Sequence, residues 1–229
     1  MPHSRRPSLT SDAVKRLLLV DDHPIMRHGL AQLIRAEDGL EICGEAGTAH
    51  EGLTAVTQLQ PDLVVLDLTL PDKNGLELLK DIQAQHPGML CLVLSMHDED
   101  MYCERALRAG ARGYIMKEAA ADHLITAVRK ILSGGIYASE KMAARMLEQV
   151  AAGRARSSDA PIAALSDREV EVLELIGKGV PTKNIAARLN ISARTVEAHR
   201  AHIKDKLHIT DGAALVRYAV QWVERLEPG

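Results

Sequence analysis

The chain has 229 residues, 46% of them hydrophobic and 26% charged, which is long for one domain, comfortable for two, and too apolar for a wholly disordered polymer. Its net charge of −3 divides into −5 over residues 1–150 and +2 over residues 151–229, so only the second part has the balance expected of a nucleic-acid binder. Aromatic residues make up 2%, too few to build a stacking platform for single strands.

The first 14 residues lack the apolar stretch of a secretory signal and read as a disordered extension. The longest apolar run, Met89–Leu94, is six residues against the roughly 18 of a membrane span, so the expected setting is cytoplasmic, with no membrane partner. Cys43, Cys91 and Cys103 are too widely spaced for a zinc or redox pair and read as reduced core thiols.

From residue 15 to 135, short Val/Leu/Ile runs alternate with amphipathic stretches. Strands are predicted at Arg16–Val20, Glu41–Glu45, Leu63–Leu66, Leu90–Ser95 and Gly113–Lys117. Helices are predicted at Pro24–Arg35, with Ile25, Gly29, Leu33 and Ala36 on one stripe, behind a Thr48-x-x-Glu51 capping box, and at Asn74–Gln85, Glu99–Ala109 and Ala119–Ser133. This pattern gives an α/β fold, a doubly wound (βα)5 parallel sheet whose ligands sit at the carboxyl ends of the strands. Residues 136–162 read as a linker carrying one helix, Ser139–Ala152, and ending in the aperiodic stretch Gly153–Pro161. Residues 163–226 read as all-α, with helices at Asp167–Gly177 behind a Ser166-x-x-Glu169 box, Thr182–Leu189, Ser192–Leu207 and Asp211–Val223.

Asp21 and Asp22 follow the first predicted strand and Asp67 the third, so three carboxylates meet at one sheet edge. Such a cluster calls for counter-charge, which a hard divalent cation such as Mg²⁺ and the strand-end Lys117 both offer. Any one of these Asp residues alone reads more simply as a helix cap or turn former. The motifs Leu-Leu-Leu-Val-Asp21-Asp22-His-Pro, Leu-Val-Val-Leu-Asp67-Leu-Thr-Leu-Pro71-x-x-x-Gly75, Leu-Ser95-Met-His-Asp and Gly-Tyr114-Ile-Met-Lys117 resemble the receiver domain of bacterial response regulators. The resemblance implies that Asp67 accepts a phosphoryl group from a sensor histidine kinase. It also implies that Asp21, Asp22, Asp67 and the Thr69 carbonyl bind Mg²⁺, that Lys117 and Ser95 contact the phosphoryl oxygens, and that Ser95 and Tyr114 act as switch residues. Any catalysis would be confined to Mg²⁺-dependent self-phosphorylation and dephosphorylation. A haloacid-dehalogenase-type enzyme would need an Asp-x-Asp motif, and Asp67-Leu68-Thr69 lacks the second Asp.

Thr182–Leu189 and Ser192–Leu207, joined by a short turn, suit a helix-turn-helix. The second helix carries Arg194, Arg200, Lys204 and Lys206 opposite an apolar stripe of Val196, Ile203 and Leu207, a pattern that a solvated helix face also explains. The motifs Leu165-Ser-Asp-Arg-Glu-Val-Glu-Val-Leu173, Lys183-Asn-Ile-Ala186 and Thr195-Val-Glu-Ala-His199 resemble the LuxR-type DNA-binding domain, which together with a receiver makes a member of the NarL/FixJ subfamily. The resemblance implies a homodimer formed through the last helix (Val216–Trp222), double-stranded promoter DNA as ligand, and RNA polymerase as a further partner. Lys183, Thr195, His199, Arg200 and Lys206 would lie at phosphates, Glu197, Ala198 and Ala201 would face bases, and Arg194 and Lys204 are further DNA-binding candidates. Asn184 and Glu197 depart from the residues most common at those positions, and Glu197 either pairs with Arg200 at i,i+3 on the same helix or accepts from a cytosine amino group. His199 and His202 have metal-ligand spacing but no third ligand nearby in sequence. The alternative function is a phosphorylation-independent DNA-binding regulator with a structural receiver.

Overall fold

The computed structural model describes residues 14–97, 99–151 and 161–225. Its first part is a five-stranded parallel sheet: β1 (Lys15–Val20), β2 (Leu40–Ala46), β3 (Leu63–Asp67), β4 (Leu90–Ser95) and β5 (Gly113–Met116), in the order β2-β1-β3-β4-β5. The helices α1 (Pro24–Arg35), α2 (Ala49–Leu59), α3 (Gly75–Gln85), α4 (Glu99–Arg108) and α5 (Ala120–Leu132) alternate with the strands. Side chains alternate across a strand, so the sheet has two cores. Leu17, Leu19, Leu63, Val65, Leu92 and Leu94 pack on α1 and α5, while Leu18, Val20, Val64, Leu66 and Val93 face the side of α2, α3 and α4.

Two details differ from the predicted helices and strands. Ile25 is 90% exposed, and α1 buries Leu30, Ala31 and Ile34 instead, because its first turn projects past the sheet edge beside the acidic residues. The fifth strand stops at Met116, and Lys117 opens a 3-10 turn that carries its side chain inward.

Beyond α5, Tyr137 pairs with β5: its N–H donates to Arg112 O and its carbonyl accepts from Tyr114 N. This covers the outer strand edge, which would otherwise offer unpaired backbone groups. Helix α6 (Glu140–Ala151) then lies on α4, with Lys141 and Arg145 both reaching Asp100. Residues 1–13 of the predicted extension and 152–160, which include most of the aperiodic stretch Gly153–Pro161, lie outside the described residues.

The second part comprises α7 (Asp167–Gly177), α8 (Thr182–Arg188), α9 (Ala193–Leu207) and α10 (Gly212–Glu224). Ser166 and Glu169 form the reciprocal capping box at α7. At Thr48 only half of such a box forms, because Glu51 turns its carboxylate to the Gly47 N–H rather than that of Thr48. Gly177 lets α10 approach α7 closely, since a Cβ there would stand 2.5 Å from Ala219 O. The apolar face of α10 is accordingly divided: Leu215, Ala219 and Val223 are buried while Val216 is exposed.

Candidate phosphoacceptor site and DNA-binding face

The sheet order places β1 beside β3, with α1 and α2 reached on opposite sides, so a crevice opens at their carboxyl ends. Val20 pairs with Leu66, which sets Asp21 and Asp67, the residues one position on, side by side. Lys117 reaches in from beyond β5, with Nζ 2.7 Å from Asp21 Oδ2 and 2.7 Å from Asp67 Oδ2. All three side chains are buried. Asp67 Oδ1 accepts from the Thr69 N–H at 3.1 Å and Asp21 Oδ1 from the His23 N–H at 2.7 Å. Burial raises the Asp67 carboxyl above the usual range, Lys117 opposing and Asp21 reinforcing the shift. Burial alone would lower Lys117, but the charge of Asp67 and then the contact with Asp21 override it, so the ammonium is held more firmly.

Asp22 is half-buried, with Oδ1 2.6 Å from His23 Nδ1. Among the described residues, Asp21 Oδ2 and Asp22 Oδ1 are buried oxygens with no hydrogen bond beyond their close contacts with Lys117 and His23. Asp21, Asp22, His23 and Asp67 offer ligand atoms within 4.8 Å of one another. His23 was not anticipated. It has no periodic signal, and its role follows from standing at the N-cap of α1 directly after the acidic pair. Gly75 closes the loop: its N–H donates to Leu68 O, and a Cβ there would lie 2.2 Å from Asp67 O. Only glycine lets the chain fold back over the backbone of Asp67.

Ser95 and Tyr114 are both buried. Ser95 Oγ accepts from the His97 N–H at 3.0 Å, and the Tyr114 hydroxyl donates to His97 O at 2.7 Å. Ser95 is thus turned toward the loop after β4, and Tyr114 is directed inward.

In the helical part, α9 presents Arg194, Thr195, Glu197, Ala198 and Ala201 as exposed residues, and Lys183 is exposed on α8. His199, Arg200 and Lys204 are half-buried. Glu197 lies 3.6 Å from Arg200 and accepts from the Thr182 hydroxyl at 3.0 Å. Lys206 is exposed but donates to Glu169 at 2.7 Å, so its charge is partly neutralised within the domain. The fold also brings Glu169 to His199 and His202, a third potential ligand invisible in the local sequence. Its Oε2, however, already accepts from Ser166 N and from the Lys206 ammonium, and a lysine in that position repels a second cation.

Residues 17–129 match the response regulator receiver domain, and residues 163–219 match bacterial regulatory proteins of the luxR family. The oxygen regulatory protein NreC of Staphylococcus carnosus is 36% identical over 210 residues, covering 90% of this chain and 97% of that protein. The chain belongs to the LuxR-type response regulators. That places it in the NarL/FixJ subfamily and makes it a two-component regulator of transcription. The transcriptional regulatory protein MctR of Rhizobium johnstonii is also 36% identical, over 206 residues covering 90% of this chain and 92% of that one. Among solved structures, RcsB of Salmonella enterica serovar Typhimurium bound to promoter rprA with the phosphomimetic BeF3− aligns at a TM-score of 0.60. It is 25% identical, covering 90% of this chain and 98% of that chain. A LuxR-family response regulator from Aurantimonas sp. SI85-9A1 aligns at 0.57 and 34% identity, covering 61% of this chain and 99% of that one.

In this response regulator the receiver holds α7 of the DNA-binding domain through polar contacts. Asn74 donates to Glu171 at 2.6 Å, Lys80 to Asp167 at 2.7 Å, and Asn190 to Pro71 O at 2.8 Å. Arg105 spans Asp167 and the carbonyls of Leu165 and Ile162. His97 Nδ1 lies 3.2 Å from Glu174 Oε2, which also accepts from the Tyr102 hydroxyl at 3.2 Å. Burial raises the Glu171 carboxyl, with Arg168 opposing. Burial works the same way on Glu174, but His97 and then Lys178 outweigh it and bring that carboxyl down to about 2. The docked face is α7 and the α8–α9 turn, while Glu197, Ala198 and Ala201 remain exposed.

Proposed function

We propose that this regulator accepts a phosphoryl group on Asp67 from a sensor histidine kinase in the cytoplasm and, as a homodimer, binds promoter DNA to control recruitment or action of RNA polymerase. The observation that carries this reading is the buried Asp67 carboxylate held beside Asp21 and Lys117 at the strand switch point, on the same chain as an exposed recognition helix. An Asp67 carboxylate oxygen forms the new bond to phosphorus as the donor's phosphorus–nitrogen bond breaks, and the histidine nitrogen keeps that electron pair. Lys117 offsets charge on the phosphoryl oxygens, and the Ser95 hydroxyl turns from His97 to donate to one of them.

The clustered carboxylates of Asp21, Asp22 and Asp67 fit a hard divalent cation such as Mg²⁺, with the Thr69 carbonyl as a further ligand. When bound, Mg²⁺ supplies the charge compensation that lets dianionic phosphoryl and carboxylate groups approach. Self-phosphorylation from small donors and slow hydrolysis are the only catalysis this pocket is assigned.

On DNA, Lys183, Arg194, Thr195, His199, Arg200, Lys204 and Lys206 are assigned to phosphates, and Glu197, Ala198 and Ala201 to base edges. Val216 on the exposed side of α10 is assigned to the dimer contact. The RcsB complexes with promoter DNA and BeF3− support this reading through fold similarity. Incubating the full chain with a small acyl phosphate and Mg²⁺ tests the first step. Intact mass should show one phosphoryl group on the wild type and none on Asp67→Asn; equal labelling of the two would overturn the assignment.

A further inference from the structure

We propose that His97 is the coupling residue of this regulator, with a main chain that both switch residues hold in place and a ring that in turn faces Glu174 of the DNA-binding domain. The inference rests on the phosphoacceptor reading of Asp67 and adds how the state of that site reaches α7. His97 is a positioning residue: it acts through Glu174 and makes no contact with DNA.

Four contacts converge on it from the receiver. Its N–H donates to Ser95 Oγ at 3.0 Å, and its carbonyl accepts from the Tyr114 hydroxyl at 2.7 Å. Its Nε2 stands 3.3 Å from Thr69 Oγ1, two residues after the phosphoacceptor. Its ring leans on Tyr102, the centroids 4.5 Å apart. The remaining ring nitrogen, Nδ1, faces Glu174 Oε2 at 3.2 Å. The same Glu174 oxygen takes the Tyr102 hydroxyl, so ring stacking and the two bonds to the acid form one closed triangle.

Glu174 is buried and is held by His97, Tyr102 and Lys178, and losing one of these partners is costly for a buried carboxylate. If Ser95 Oγ leaves for a phosphoryl oxygen, the His97 N–H loses its acceptor. As Tyr114 follows, the His97 carbonyl loses its donor. Only Thr69 and the Tyr102 ring then position the imidazole at Glu174, so its hold on the acid weakens, while Lys80 and Arg105 on Asp167 and Asn74 on Glu171 still hold α7. Those contacts set how tightly the domains dock. His97 sets how docking responds to phosphorylation.

This division is testable in the full chain, with spin labels at Gln58→Cys and Gln221→Cys reporting docked and undocked populations with and without beryllofluoride and Mg²⁺. In the wild type, the docked-to-undocked ratio should fall at least tenfold on adding beryllofluoride. Lys80→Ala should lower the ratio in both states by the same factor and keep the tenfold response. His97→Ala should lower it in the unmodified state and leave a response under threefold. Glu174→Gln, on the other domain, should reproduce His97→Ala, and combining the two should add nothing further. A full response in His97→Ala, or an equal loss of response in Lys80→Ala, overturns the proposal. If wild type labels at Asp67 by mass yet its ratio is unmoved, the coupling fails while the phosphoacceptor stands. If wild type takes up neither phosphoryl nor beryllofluoride, the phosphoacceptor reading fails and the coupling falls with it.

Discussion

The Lys117 ammonium lies 2.7 Å from Asp67 Oδ2 although their strands are not neighbours, β4 standing between β3 and β5. The long lysine side chain crosses that gap at the carboxyl edge of the sheet, where a shorter cation could not reach. Because both groups are buried, the pair serves the phosphoacceptor more than it serves stability: desolvating two charges offsets much of their attraction.

Removing one partner is a different matter. Lys117→Met leaves Asp21 and Asp67 facing each other without a cation, and urea unfolding in the absence of divalent ions should show a loss of about 3 kcal/mol. Adding millimolar Mg²⁺ should recover part of that loss, because an ion that binds only the folded pocket stabilises it by mass action. Transfer from an acyl phosphate should stay impaired with Mg²⁺ present. Normal labelling of the variant would remove Lys117 from the chemistry.

Acid should loosen the domain interface through Glu174. Its folded carboxyl lies at about 2 against an ordinary value of 4.5, so it contributes stability above about pH 4.5 that is lost as pH falls toward 2. The contribution is up to about 3 kcal/mol. Glu171, whose folded carboxyl is raised, works in the opposite sense, so the comparison must isolate Glu174. Between pH 4.5 and 2, wild type should lose stability more steeply than Glu174→Gln in chemical denaturation. Parallel curves would show that Glu174 is not held ionised by His97 and Lys178.

Lys206 is shared between Glu169 and the solvent-facing side of α9. On DNA, Lys206→Ala should weaken binding nearly uniformly across sequences and lower the salt slope by about 0.9. Thermal unfolding of the free protein separates this from any loss of the Glu169 pair. A changed sequence preference at an unchanged slope would contradict the phosphate assignment.

Much of the scaffold was legible in local pattern. The five strands follow apolar runs that end in Asp21, Asp67 and Ser95, and the Ser166 box forms as its spacing predicts. The α1 stripe misleads because Ile25 sits on the turn beside the acidic crevice, where no element covers it. Glu51 misleads because the Gly47 N–H offers its carboxylate an equally close partner. The domain contacts had no local signal, since Asn74 meets Glu171 across 97 positions and His97 meets Glu174 across 77. His97 stood inside a recognised motif, but periodicity describes one element at a time and does not say which acid of another domain a ring will face. The same limit hid Glu169 from His199 and His202.

The most direct test of the whole account is promoter binding and sedimentation of wild type and Asp67→Asn, each with Mg²⁺ and with or without a small acyl phosphate. The account predicts that wild type alone responds to the donor, shifting toward dimer and binding DNA at least several-fold more tightly. Equal binding by both proteins, with no response from either, would contradict it and leave a receiver that serves only as a structural module.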